Sequence, residues 1–173
     1  MAAFYEVETQ FHAGEQEMHK LMKVPESDNP TSPYLSPFAA SLVNRAPLIA
    51  LGTLDDQGRP WSTVWGGESG FAWPLAQSVI GVKTTVAKYD PVLEAISKGR
   101  WDGEVIERDG TAGKMISGLA IDFENRKRVK LYGRMVVASL LATEAGAGEV
   151  QLLVQIEQSL GEFCRLLRHE AED

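Results

Sequence analysis

The stretch Pro47 to Gly70, PLIALGTLDDQGRPWSTVWGGESG, leaves this chain the fewest choices. Leu48 to Leu54 is apolar and strand-compatible, and Arg59 to Trp65 is rich in β-branched and aromatic residues. Between them sits Asp55-Asp56-Gln57-Gly58. An Asp at the start of a turn accepts from its own backbone, and a Gly at its end takes φ > 0 without a Cβ clash. The spacing predicts a tight hairpin, a type I turn closed by Gly58 in the left-handed region. A strand period of two then puts Arg59, Trp61, Thr63 and Trp65 on one face and Pro60, Ser62 and Val64 on the other. One face thus carries a cation, a hydroxyl and two large π surfaces.

Two readings of that face stand side by side. In one, the tryptophans pack as in any half-buried strand and Arg59 is solvated. In the other, the face meets a planar, phosphorylated ligand, with Trp for stacking and Arg and hydroxyl donors for the phosphate. The rest of the chain bears on the choice. At 173 residues it suits one domain with a full-sized core. A net charge of −7 argues against general nucleic-acid binding, which needs a basic surface. One cysteine, Cys164, excludes an internal disulfide framework and a cysteine-cluster zinc site. No charged-then-apolar leader opens the sequence and no apolar run approaches membrane-spanning length, so a cytoplasmic location is expected.

Phe11, Glu15, Met18, Leu21 and Met22 recur at helical spacing, and Gly14 delays the expected helix to about Glu15. His12, Glu15 and His19 fit no zinc spacing and read as surface or capping residues. Val24 to Pro37 holds Pro25, Pro30, Pro33 and Pro37 and reads as a connector or an extended arm with little regular structure, for which a partner subunit is a natural support. Residues 1–46 therefore form a helical and proline-rich arm on a single domain spanning 1–173. A short helix over Phe38 to Arg45 turns Phe38, Leu42 and Val43 inward.

After the hairpin, Phe71 to Leu75 reads as a loop and Ser78 to Val82 as a strand. Lys83-Thr84-Thr85 is then expected between that strand and a helix opened by Asp90-Pro91, a good position for phosphate. Lys98 to Gly113 reads as a surface loop or short hairpin. Lys114 to Val137 is a second hairpin, with Arg126, Arg128, Lys130 and Arg134 on one face past a turn at Glu124-Asn125. Those cations either pair across strands with Asp122 and Glu124 or bind an anion. Glu149 to Glu157 alternates as a strand, and Leu160, Phe163, Cys164 and Leu167 recur at helical spacing, which makes Cys164 a packed thiol. At least five or six strands in hairpins with peripheral helices imply an antiparallel β-barrel or sandwich.

Three segments carry a resemblance. LGTLDDQGRPWSTVWGGESGF, VKTTVAKYDPV and GLAIDFENRKRVKLYGRM, with the opening FHAGEQEMH, resemble in that order the predicted flavin-nucleotide-binding proteins related to pyridoxamine 5′-phosphate oxidase. The resemblance spans residues 11 to 157 and is most specific at the two hairpins. It implies a mainly β chain with peripheral helices, an FMN-binding antiparallel split β-barrel, working as a homodimer with FMN at the subunit interface. By the same resemblance Arg59 opens the FMN-contacting strand, and Trp61, Ser62, Thr63 and Val64 border the isoalloxazine and ribityl groups. Lys83 and Thr84 match the phosphate-binding residues, and Arg126 and Arg128 match an R-x-R hairpin. Two departures stand out. Val64-Trp65 replaces the oxidase's lysine, and Glu162-Phe163-Cys164-Arg165 replaces its Cys-Pro-Lys segment. The terminal substrate-phosphate motif is also missing, so pyridoxamine 5′-phosphate is not the expected substrate.

The implied function is an FMN-dependent oxidoreductase acting on a small molecule, in which the flavin ring carries the electrons. The alternatives are a non-catalytic binder of flavin or haem on the same barrel, and a module of a larger reductase.

Overall fold

The computed structural model describes residues 10–107, 113–143 and 146–161. Eight strands form one antiparallel sheet: β1 (Leu48–Leu54), β2 (Pro60–Gly66), β3 (Ala72–Ala76), β4 (Val79–Ala87), β5 (Asp102–Glu107), β6 (Met115–Asp122), β7 (Lys127–Ala142) and β8 (Ala147–Gly161). Three helices accompany them: α1 (Ala13–Met22), α2 (Pro37–Arg45) and α3 (Pro91–Ser97). The strand order is β2-β1-β6-β7-β8-β4-β3, with β5 pairing the far half of β7. This is the mainly β, antiparallel split-barrel architecture with peripheral helices.

The first hairpin has the expected turn. Gly58 takes φ 76°, and its N–H donates to the Asp55 carbonyl at 3.0 Å. Register pairs Leu51 with Thr63 and Ile49 with Trp65, so Trp61, Thr63 and Trp65 share the inner face. The sheet curls around a core that includes Trp65, Ile49, Leu42, Ile80, Leu93, Leu152 and Ile156, all buried. At the split, β2 and β4 approach without strand pairing; the Thr84 hydroxyl donates to the Gly66 carbonyl at 2.7 Å and ties the two edges together. Curvature is built into the long strands: β7 shifts register against β8 at Tyr132/Gly133 and again at Met135/Val137.

The structure corrects several sequence expectations. Residues 71–75 are not a loop; most belong to β3, an edge strand that tolerates Pro74 at its bulge. Strand β4 continues to Ala87 because Lys83, Thr84 and Thr85 find partners Gln151, Val150 and Glu149 on β8. Lys83 and Thr84 are therefore strand residues, not part of a strand-to-helix loop. Strand β5 occupies part of the stretch read as loop or hairpin, and β7 and β8 are both longer than the alternation suggested. Leu160 lies in β8 rather than opening a helix, while Phe163, Cys164 and Leu167 fall outside the described residues.

Helix α1 starts earlier than Glu15 because His12 caps it. The His12 side chain accepts from Gly14 N–H at 3.1 Å, and Glu15 returns the bond to His12 N–H at 2.8 Å. Gly14 in the first turn costs little there. Helix α2 has Ser36 as N-cap and buries Ala39, Leu42 and Val43 as its spacing requires, with Phe38 partly buried against the core.

The bend in β7 supplies a test of the packing. A Cβ on Gly133 would meet the Gln155 carbonyl far inside contact distance, and backbone cannot step aside. Gly133→Ala should therefore destabilise by about 1–3 kcal/mol, read from urea unfolding midpoints.

Candidate functional site

Asp90 assembles the site. It precedes Pro91, so it caps α3: its Oδ1 accepts from Val92 N–H and Leu93 N–H, both at 3.0 Å. Its Oδ2 accepts from the Thr63 hydroxyl at 2.6 Å and the Trp65 indole N–H at 3.1 Å. One buried carboxylate thus joins the start of α3 to the inner face of β2.

Further toward the hairpin turn, the same face of β2 meets a second carboxylate. Asp55 Oδ1 accepts from Gln57 N–H and Arg59 N–H, each at 2.9 Å. Its Oδ2 accepts from Arg59 Nε at 2.6 Å and Trp61 Nε1 at 3.0 Å. The Trp61 indole, then the Arg59 and Gln57 donors, hold the Asp55 carboxyl well below the usual carboxylate range against the opposing effect of desolvation. The Arg59 guanidinium carbon lies 5.9 Å from the Trp61 ring centroid. Asp56, next to it, pairs instead with lysines of α3's end and the start of β6. Lys98 at 2.8 Å and Lys114 at 3.2 Å pair with it and lower its pKa. Lys114 also donates to the Ala95 carbonyl, so the turn is clipped to α3 and to the start of β6.

Between turn and helix lies a cleft of about 540 Å³. Arg59, Trp61, Asp55 and Asp56 reach it from the hairpin; Tyr89, Pro91, Glu94 and Lys98 come from α3 and the residues flanking it. Trp61 is 41% exposed and Tyr89 93% exposed, so both aromatic residues are accessible to a ligand.

The expected site residues divide into groups. Arg59 and Trp61 meet in the cleft, and Thr63 lies deeper on the same face with its hydroxyl on Asp90. Ser62 and Val64 point to the opposite, outer face, because strand period allows nothing else. Lys83 pairs with Glu149 at 3.2 Å on the outer side of β4, and Thr84 bridges the split. Arg126 takes φ 54° in the turn ending the β6–β7 hairpin, and Arg128 heads β7. The register row Gly66–Leu48–Ile121–Arg128 sets Arg128 three strands from β2, roughly 14 Å across the sheet. Cross-strand pairing of Arg134 with Asp122 or Glu124 is also corrected. Register sets Arg134 opposite Met115, and its carboxylate partner is Glu157 at 3.4 Å; Asp122 binds Asn125 and Arg45.

Sequence reasoning missed the acids and the helix side of the cleft. Asp55, Asp56 and Asp90 were legible only as turn and cap residues, and nothing local in Glu94, Lys98 or Lys114 signals their meeting. Among the described residues no group of three or more His, Cys, Asp or Glu could hold a metal, and no helix is long and apolar enough to cross a membrane.

The depressed Asp55 pKa gives a testable pH dependence. A carboxyl whose folded-state pKa lies below its unfolded value stabilises the fold above the unfolded value, near 4, and loses that contribution as pH falls further. Asp55→Asn should therefore be less stable than the parent chain at pH 7, and the gap between their unfolding midpoints should close as pH is lowered from about 5 to below 3.

The sequence matches no known family profile and no curated protein. Among solved structures, the crystal structure of a tagged HupZ variant from Group A Streptococcus resembles this chain at 12% sequence identity and a TM-score of 0.44, covering 74% of this chain and 99% of that one.

Proposed function

We propose that this split barrel binds a flavin, with FMN as the cofactor and a homodimer as the working assembly. The observation that carries the reading is the presence of two exposed aromatic residues, Trp61 and Tyr89, in the lining of one cleft. Its volume is within the usual range for small-molecule sites and suits a flat three-ring system. The residues fit the ring: Trp61 offers a π-face fixed by its bond to Asp55, and Glu94 offers a carboxylate to ring N–H groups. Arg59 and Lys98 are the cations of the lining, paired with Asp55 and Asp56.

A bound flavin would supply two-electron transfer between a reductant and a small acceptor, the oxidoreductase function proposed for this chain. The part of the protein is to orient the ring: the Asp90 bonds fix the helix wall, and the Asp55 bonds fix Trp61 and Arg59 on the hairpin wall.

The outer sheet face supports the dimer. Leu48 and Ala50 of β1, Val64 of β2, and Leu119 and Ile121 of β6 form an apolar area there, Val64 being 61% exposed. A second copy related by a two-fold axis would bury it.

Purified protein should take up FMN stoichiometrically and quench its fluorescence, and consumption of a nicotinamide reductant would mark an enzyme; tight flavin without turnover would mark a carrier. A colourless protein that leaves FMN fluorescence unchanged would refute the cofactor. Trp61→Ala should weaken flavin by about 1–3 kcal/mol, on the order of ten- to a hundredfold in Kd. Light scattering should return twice the 19.0 kDa chain mass, and Val64→Asp should shift that mass toward the monomer.

A further inference from the structure

We infer that the cleft between α3 and the first hairpin selects an uncharged planar ring over an anionic one, and that Asp55 and Asp56 set this specificity. The cleft is the one proposed above to hold the flavin ring, and its charges decide what else of a ligand it reads.

Each cation on its walls is already matched by a carboxylate on the same walls. Arg59 Nε binds Asp55 at 2.6 Å, and Lys98 binds Asp56 at 2.8 Å. Glu94 adds a third carboxylate to the lining, and Lys114, held on Asp56, brings the balance to even. Both carboxyls of the turn stay ionised at neutral pH, since their donors lower their pKa values. The indole N–H of Trp61, which would otherwise donate to an incoming anion, is also held by Asp55. An anionic group entering here meets Asp55 or Asp56 beside each cation it approaches, and finds the Arg59 Nε and Trp61 Nε1 donors already engaged. An uncharged ring needs only the faces of Trp61 and Tyr89, which are exposed. The phosphate of FMN would then lie outside the cleft and add little to affinity.

The atomic roles of Asp55 allow a clean variant. Oδ1 serves the backbone N–H groups of Gln57 and Arg59, which build the turn, while Oδ2 serves the two side chains, Arg59 and Trp61. In Asp55→Asn the amide oxygen can keep the turn bonds, as Asn does in such turns, while the amide NH₂ faces two donors and releases them. The variant should fold and gain an anion grip.

The test uses two probe pairs, each differing by one anionic group: riboflavin against FMN, and N-phenylnaphthylamine against its sulfonate, anilinonaphthalenesulfonate. Each is titrated by fluorescence into the parent chain, Asp55→Asn, Asp56→Asn and Trp61→Ala. The parent chain should bind riboflavin and FMN within about threefold of each other, and the uncharged dye at least about tenfold tighter than the sulfonate. Asp55→Asn loosens the Trp61 ring for every probe, so the readout is the ratio within each pair: FMN and the sulfonate should gain about tenfold relative to riboflavin and the uncharged dye, the gain of one charge-assisted bond. Asp56→Asn should do the same more weakly, because its lysines are flexible point charges. Trp61→Ala should weaken all four probes. Dye selectivity without flavin binding would uphold the inference and remove the flavin reading. A tenfold preference of the parent chain for FMN would uphold the flavin and overturn the inference. Equal effects of Asp55→Asn on charged and uncharged probes, or dye binding indifferent to Trp61→Ala, would also overturn it.

Discussion

The Asp90 carboxylate collects four donors from two directions: two backbone N–H groups of α3 and two side chains of β2. A buried carboxylate is tolerated only when its lone pairs are satisfied, and losing one partner leaves an unpaired polar group in a medium that cannot solvate it. The four bonds are therefore mutually dependent. They hold α3 at a set distance from the first hairpin, and that distance is the width of the cleft. The Trp65 indole packs in the core while its N–H reaches Asp90, so hydrophobic packing and the polar hub restrain the same residue.

One turn outward the same chemistry recurs in a wetter setting. Asp55 and Asp56 also gather several donors each, but on an exposed hairpin turn where salt and water screen the charges. Their contribution is to position. Asp55 decides where the Arg59 guanidinium and the Trp61 ring stand, and Asp56 decides how the turn leans on α3 and β6. The outcome is a cleft with exposed aromatic residues whose cations are already paired with carboxylates.

The barrel explains why the expected residues divide as they do. A curled sheet has an inside and an outside, and a period of two sends neighbours on one strand to opposite sides. Ser62 and Val64 leave the cleft for the outer face, where an apolar area faces away from the core. Lys83 leaves for the outer side of β4, while Thr84 turns in and closes the split against Gly66. Bulges in β7 and the side-chain-free Gly133 let the long strands bend enough to bring those edges together.

What the residues determined unaided was local. The Asp55–Gly58 turn, the alternation on β2, the Ser36 and Asp90 caps, and the β6–β7 hairpin all follow from interactions within a few positions, whose physics is complete in the sequence. So did the conclusion of an antiparallel sheet, because hairpin-linked strands allow little else. What only the tertiary structure decided was partnership. Strand β4 runs on through Lys83 and Thr84 because β8, more than sixty residues later, supplies a ladder for them. Lys98 and Lys114 reach Asp56, and Thr63 reaches Asp90, through space that no local pattern encodes. A carboxylate read as a turn residue thus became the group that orients a tryptophan and an arginine, since hydrogen bonds depend on distance in the folded chain and not on separation along it.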